Sequence, residues 1–182
     1  VIILLPFAAM IVGKLFSSND AANQAAPTVQ SNAGTVAPAS TNPAQGLEIE
    51  KNYLGSAGGF LKTMNAQGLL VATAMEGANA GATTLTQIKK TIESARRITM
   101  AGYQGDYLQN GKLVVPAGYA DIDKDIRSSY TQRDAAYEEY LAFFDDDKTQ
   151  HIDSATAAFM KSEQMAQKAL AALGAKMKAL KN

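Results

Sequence analysis

Three groups of side chains in this chain have the types and spacing that could do chemistry. Asp121, Asp123 and Asp125 alternate as the first oxygen ligands of a calcium loop do. Such a loop needs glycine at its sixth position and a bidentate glutamate at its twelfth, and Ile126 and Gln132 stand there instead. These acids therefore read as helix-start residues, where the backbone dipole favours negative charge. A second run, Asp145, Asp146 and Asp147, has the charge to hold a cation weakly, but acidic turns are usually only solvated. His151, the single histidine, has no serine, cysteine or second histidine placed by spacing to act with it, and reads as a helix-end residue. No catalytic group, metal site or cofactor site is assigned.

Arg133 is more informative, because it falls inside an otherwise apolar helical stripe. Its register partner on the following helix is Glu163, at the edge of the facing stripe. A structural ion pair that fixes register is the first reading. An arginine anchoring an anionic ligand is the alternative. The third group is aromatic: Tyr53, Tyr103, Tyr107 and Tyr119 gather at one end of the predicted architecture. They would either cover that end or form a recognition surface, since exposed aromatics are costly unless they contact something.

The elements that must position these groups are helical. From 149 to 181, Ile152, Phe159, Ala166, Leu173 and Leu180 recur every seven residues, the stripe of a coiled-coil-like helix. A helix over 120–144 carries Ile122, Ile126, Tyr130, Tyr137, Leu141 and Phe144 on one face. One over 47–79 carries Leu54, Leu61, Met64, Gly68, Val71 and Met75, with five glycines along it that would let a neighbouring helix approach closely. A kink near Gly58 and Gly59 is the alternative use of those glycines. A helix over 84–103 opens on Thr84 and Gln87, which have the spacing of a capping box. Between the second and third helices, Asn110-Gly111 sits between two short runs of strand-forming residues, and this predicts a β-hairpin over 106–115.

Antiparallel helices keep the sum of facing residue numbers constant. Phe144 with Ile152, Tyr137 with Phe159 and Tyr130 with Ala166 share one sum; Ile122 with Leu173 falls one short. Met75 with Leu85 and Gly68 with Ile92 do the same for the first two helices. The expected fold is all-α: an antiparallel up-down four-helix bundle over 47–182, with the hairpin between helices two and three. The third helix is acidic and the second and fourth are basic, as neighbours in that order should be.

The first 46 residues are of another kind. Residues 1–16 are apolar up to Lys14, too short alone for a span of roughly 20 residues. With valine first, the natural chain is expected to begin upstream, and the run to be the end of an uncleaved membrane anchor. A removed signal peptide and a buried core segment are the alternatives. Residues 17–46 have almost no charge and no aromatic side chain, and read as a flexible linker reaching roughly 30 Å.

Composition excludes several functions. The 17 basic residues balance the 17 acidic ones, so no global field recruits nucleic acid. The chain has no cysteine, which removes disulfides and thiolate chemistry. The expectation is a non-enzymatic, membrane-tethered module on the extracytoplasmic side, with a structural or protein-interaction role and a possible protein partner. An extracytoplasmic sensor or small-ligand-binding bundle, with Arg133 as anion anchor, is the alternative.

Overall fold

The structure, a computed structural model, describes residues 43–180. Four α-helices follow one another: α1 (Pro43–Asn79), α2 (Leu85–Ala101), α3 (Ala120–Asp146) and α4 (Gln150–Ala179). The chain is an all-helical bundle, with no strand among the described residues. The expected membrane segment at 1–16 lies outside them. Among the described residues no helix is long and apolar enough to cross a membrane.

Local chemistry explains the helix ends. α1 begins at Pro43, within the stretch expected to be linker, because proline suits a first helical position where its missing N–H is not needed. The capping box at α2 is formed: Gln87 N–H donates to Thr84 Oγ1 at 3.2 Å and Thr84 N–H donates to Gln87 Oε1 at 2.8 Å. Asp121 and Asp123 stand in the first turn of α3, and Lys176 and Lys178 in the last turn of α4, where the helix dipole favours each.

The expected β-hairpin at 106–115 is not there. α2 instead runs on into a π-helical segment (Gly102–Tyr107), closed by Leu108 N–H to the Tyr103 carbonyl at 2.9 Å, and then a single 3-10 turn (Gln109–Gly111). The Asn-Gly turn signal is real, since Asn110 has φ 53° and ψ 42°, but it reverses the chain out of a helix rather than between strands. The wider π turn sets Tyr103 and Tyr107 over the same inner face, against Phe60. Leu113 and Val115, read as strand residues, are buried in the bundle end. Burial of such side chains, roughly 1.5–3 kcal/mol each, outweighs what an isolated two-stranded ribbon offers.

Cross-helix contacts tie neighbouring elements together. Phe60 of α1 meets Tyr103 of the π segment; Lys89 pairs with Asp145 and Arg96 with Asp134 across α2 and α3. Lys168 reaches Asp125, and His151 reaches Glu139, across α3 and α4. The acidic third helix is thus laced to basic residues on both neighbours. Such exposed pairs contribute up to about 1 kcal/mol each and set arrangement more than stability.

The apolar interior falls into two clusters. One joins the first half of α1 to the π segment, the start of α3 and the end of α4, around Tyr53, Phe60, Leu61, Tyr107 and Leu173. The other joins the second half of α1 to α2, the end of α3 and the start of α4, around Val71, Met75, Ile92, Tyr137 and Phe159. What lies between them is polar.

Candidate functional site

Arg133 occupies the boundary between the two clusters, with 0% of its surface exposed. A bare guanidinium in that position would be prohibitively costly, so its partners decide what the site is. Nε donates to Ser162 Oγ at 3.1 Å, Nη1 donates to the Met64 carbonyl at 3.2 Å, and Nη2 donates to the Glu163 carboxylate. The guanidinium carbon sits 4.0 Å from the centroid of the Phe159 ring, a cation–π contact on the remaining face. Three helices, α1, α3 and α4, are involved, and three donor directions end on protein acceptors.

Ser129, one turn before Arg133, extends this layer. Its hydroxyl donates to the Ser162 carbonyl at 2.9 Å, while the Ser162 hydroxyl donates back to the Ser129 carbonyl at 2.8 Å. The reciprocal pair ties α3 to α4 directly beside the arginine. Gly68 supplies the room: a methyl there would lie 2.1 Å from Arg133 Nη1 and 2.9 Å from the Phe159 ring. Glu163 is partly open to solvent, so the counter-charge keeps some hydration while the arginine has none. Burial raises the Tyr137 phenol above its ordinary value, and neighbouring Arg133 works the other way.

Glu163 thus meets Arg133, the partner that register assigns to it, across α3 and α4. Ser129, Ser162, Gly68 and Phe159 complete the layer, and none of them stood out as a site residue from sequence. Gly68 reads in sequence as a stripe glycine that lets another helix approach, without saying which side chain fills the space; for Ser162 the only signal is a small polar residue at an inward position.

The four tyrosines are brought together, but as core. Tyr53, Tyr103, Tyr107 and Tyr119 are all buried, the most open of them 8% exposed. The Tyr53 and Tyr107 hydroxyls lie 3.3 Å apart, Tyr107 donates to Asp123, and Asp123 accepts from Arg127 Nε at 2.7 Å. Tyr103 packs against Tyr107 and stacks on Tyr130, with ring centroids 3.8 Å apart in the second pair. Tyr119 packs edge-on against Tyr53 under the Lys176 ammonium, 4.6 Å from its ring. Burial is the main cause that raises every one of these phenols above its usual value.

No family model, curated protein or solved structure matches this chain. What the site can do must therefore come from its own geometry.

Four of the six acids weighed as metal ligands are engaged elsewhere. Asp123 and Asp125 pair with Arg127 and Lys168, Asp145 with Lys89, and Asp146 with Lys148 and His151. Among the described residues no group of three or more candidate ligands is placed to hold a metal ion. Between Met75, Ile88, Tyr140, Phe143 and Ile152 the second cluster leaves an apolar void of about 10 Å³. That is about the space of one water and far short of an organic ligand.

Proposed function

We propose that the protein is a non-catalytic helical-bundle module, held on the extracytoplasmic side of a membrane by its N-terminal segment and a linker, with a structural or protein-interaction role. The observation that carries this reading is the closure around Arg133. A ligand-binding arginine presents donors to a cavity, whereas this one spends them on Ser162, Met64 and Glu163 with Phe159 across its face. An anion anchored here would have to displace Glu163, which closes the partly solvated edge of an otherwise packed layer. The finer architecture belongs to the same reading: an up-down bundle whose tyrosine-lined end is the one nearer the tether. The apolar 1–16 stretch and the polar 17–46 stretch support the tether.

The experiment is fractionation of cells expressing the full chain, followed by protease treatment of intact cells or spheroplasts. The chain should stay with membranes through an alkaline carbonate wash, with the bundle cut only from the extracytoplasmic side. Release into the soluble fraction, or protection from external protease, would overturn the tethered reading. Thermal melts with small carboxylates and phosphate should show no shift; a saturable rise lost in Arg133→Lys would restore the sensor reading.

A further inference from the structure

The outer face of α1 is unlike that of any other helix in the bundle. Gly59, Lys62, Ala66, Leu69, Thr73 and Glu76 follow one another by alternating steps of three and four, and all six are exposed. Steps of that kind make a coiled-coil seam, here facing solvent rather than the core. Leu69 and its neighbour Leu70 are the most exposed large apolar side chains described, at 67% and 55%. From Thr63 to Met75 the helix carries no charge, although the outward positions of α2, α3 and α4 are studded with ion pairs.

Two further observations say what fits this face. Gly55, Gly58 and Gly59 have nothing within 4 Å of where a side-chain carbon would be, so no contact inside the bundle accounts for them. Each costs the helix about 1 kcal/mol relative to alanine. The close approach of a neighbouring helix expected of these glycines is thus met only at Gly68, while Gly77 makes room for Thr83 in the following turn. Second, the two charges that border the apolar stretch, Lys62 and Glu76, are exposed, opposite in sign and without an ion pair among the described residues. They stand seven residues either side of Leu69, about 10.5 Å each way along the helix.

We infer that a second copy of this chain docks on α1, antiparallel, with the two-fold axis passing at Leu69. In that register Lys62 of each copy meets Glu76 of the other, Leu69 meets its own equivalent, and Gly59 meets Asn79, where the missing side chain leaves room. A parallel pairing would set lysine on lysine and glutamate on glutamate. The inference names a partner for the interaction role proposed above and rests on that reading.

The chain has no cysteine, so single cysteines introduced in the full chain report on this contact alone. Under mild oxidation Leu69→Cys should form a covalent dimer. Lys62→Cys and Glu76→Cys should each fail to do so, since equivalent positions are then about 21 Å apart along the axis. Mixed together, those two should cross-link. Cross-linking of all three alone, or of none, would overturn the antiparallel dimer, the latter including the case in which the apolar 1–16 segment covers this face. By sedimentation in density-matched detergent, Lys62→Glu should weaken the dimer about tenfold and added Glu76→Lys should restore it, with helicity unchanged. No weakening, or no restoration, would equally overturn the pairing. A chain that stays membrane-bound without cross-linking sinks the dimer alone; one that cross-links but washes off membranes sinks the tether alone.

Discussion

The guanidinium of Arg133 fills the space that a side chain at Gly68 would need. A methyl group at that position would stand 2.1 Å from Nη1, with the Phe159 ring closing the other side at 2.9 Å. The arginine is buried on all sides and has nowhere to retreat. Gly68→Ala should therefore destabilise the bundle by about 2–3 kcal/mol, the usual range for forcing extra volume into a packed core. Gly58→Ala, nearly three turns away with open space around it, should stabilise by about 0.5–1 kcal/mol through helix propensity. Urea denaturation of the two variants checks both signs.

Arg133 and Glu163 look like a pair that could be exchanged, but the arginine has more than one partner. In the doubly reversed variant, Arg133→Glu with Glu163→Arg, a carboxylate would face the Met64 carbonyl and the negative face of the Phe159 ring. The exchange should recover little of the roughly 3–5 kcal/mol lost when a buried ion pair is broken from the buried side. Glu163→Gln, at the partly solvated end, should cost only about 1 kcal/mol. Equal losses for Arg133→Lys and Glu163→Gln would show that the two ends of the pair are not so different.

Every tyrosine of the chain has its phenol raised above the ordinary value of 10, chiefly by burial, with Tyr130 pushed up to about 12. A folded value raised above the unfolded one gives stability that is complete below pH 10 and declines as pH rises beyond it. Alkaline titration followed by tyrosinate absorbance should thus show little signal while the helices persist. Ionisation should then arrive together with loss of helicity. A gradual tyrosinate rise in a still-helical protein would mean that the aromatic cluster is open to water.

At the other end, His151 Nδ1 lies 2.6 Å from Glu139 and Nε2 lies 3.3 Å from Asp146. The Glu139 contact, then Asp146, raises the imidazole above 6.5. Its contribution is complete below pH 6.5 and fades as pH rises through the folded value. Asp146 is held down to about 2 by the Lys148 ammonium and then by the Lys148 backbone N–H, so its contribution holds above 3.8 and is lost as pH falls through about 2. As the only histidine, His151 gives a single NMR titration curve with a midpoint above 6.5. Glu139→Gln should lower that midpoint.

The helices and their register were legible because two periodic patterns had to agree. The inward residues of α3 and α4 face each other only in one alignment, and Arg133 finds Glu163 in it. The Thr84–Gln87 box was legible for a similar reason, since both partners lie within four residues. The region from Gly102 to Val115 was not, because Asn110 signals a left-handed residue without saying what precedes it. Tyr107, Leu113 and Val115 favour strands only if a partner strand is offered, and the bundle end offered them a core. The burial of Tyr53 and Tyr119 depends on that same rearrangement. Periodicity puts Gly68 but not Gly58 on the inward stripe, yet only the structure shows that the group filling the space at Gly68 is the Arg133 guanidinium.

The polar layer of Ser129, Arg133, Ser162 and Glu163 sits partway along rods of which the longest, α1, has 37 residues, or about 55 Å. A slide of α3 past α4 by one turn, about 5.4 Å, would drag the arginine off its acceptors and into the apolar residues of either cluster. Two greasy halves could otherwise tolerate such slippage, and this notch forbids it. The bundle is in that sense a ruler, and the separation of its two ends is the quantity that a buried arginine protects.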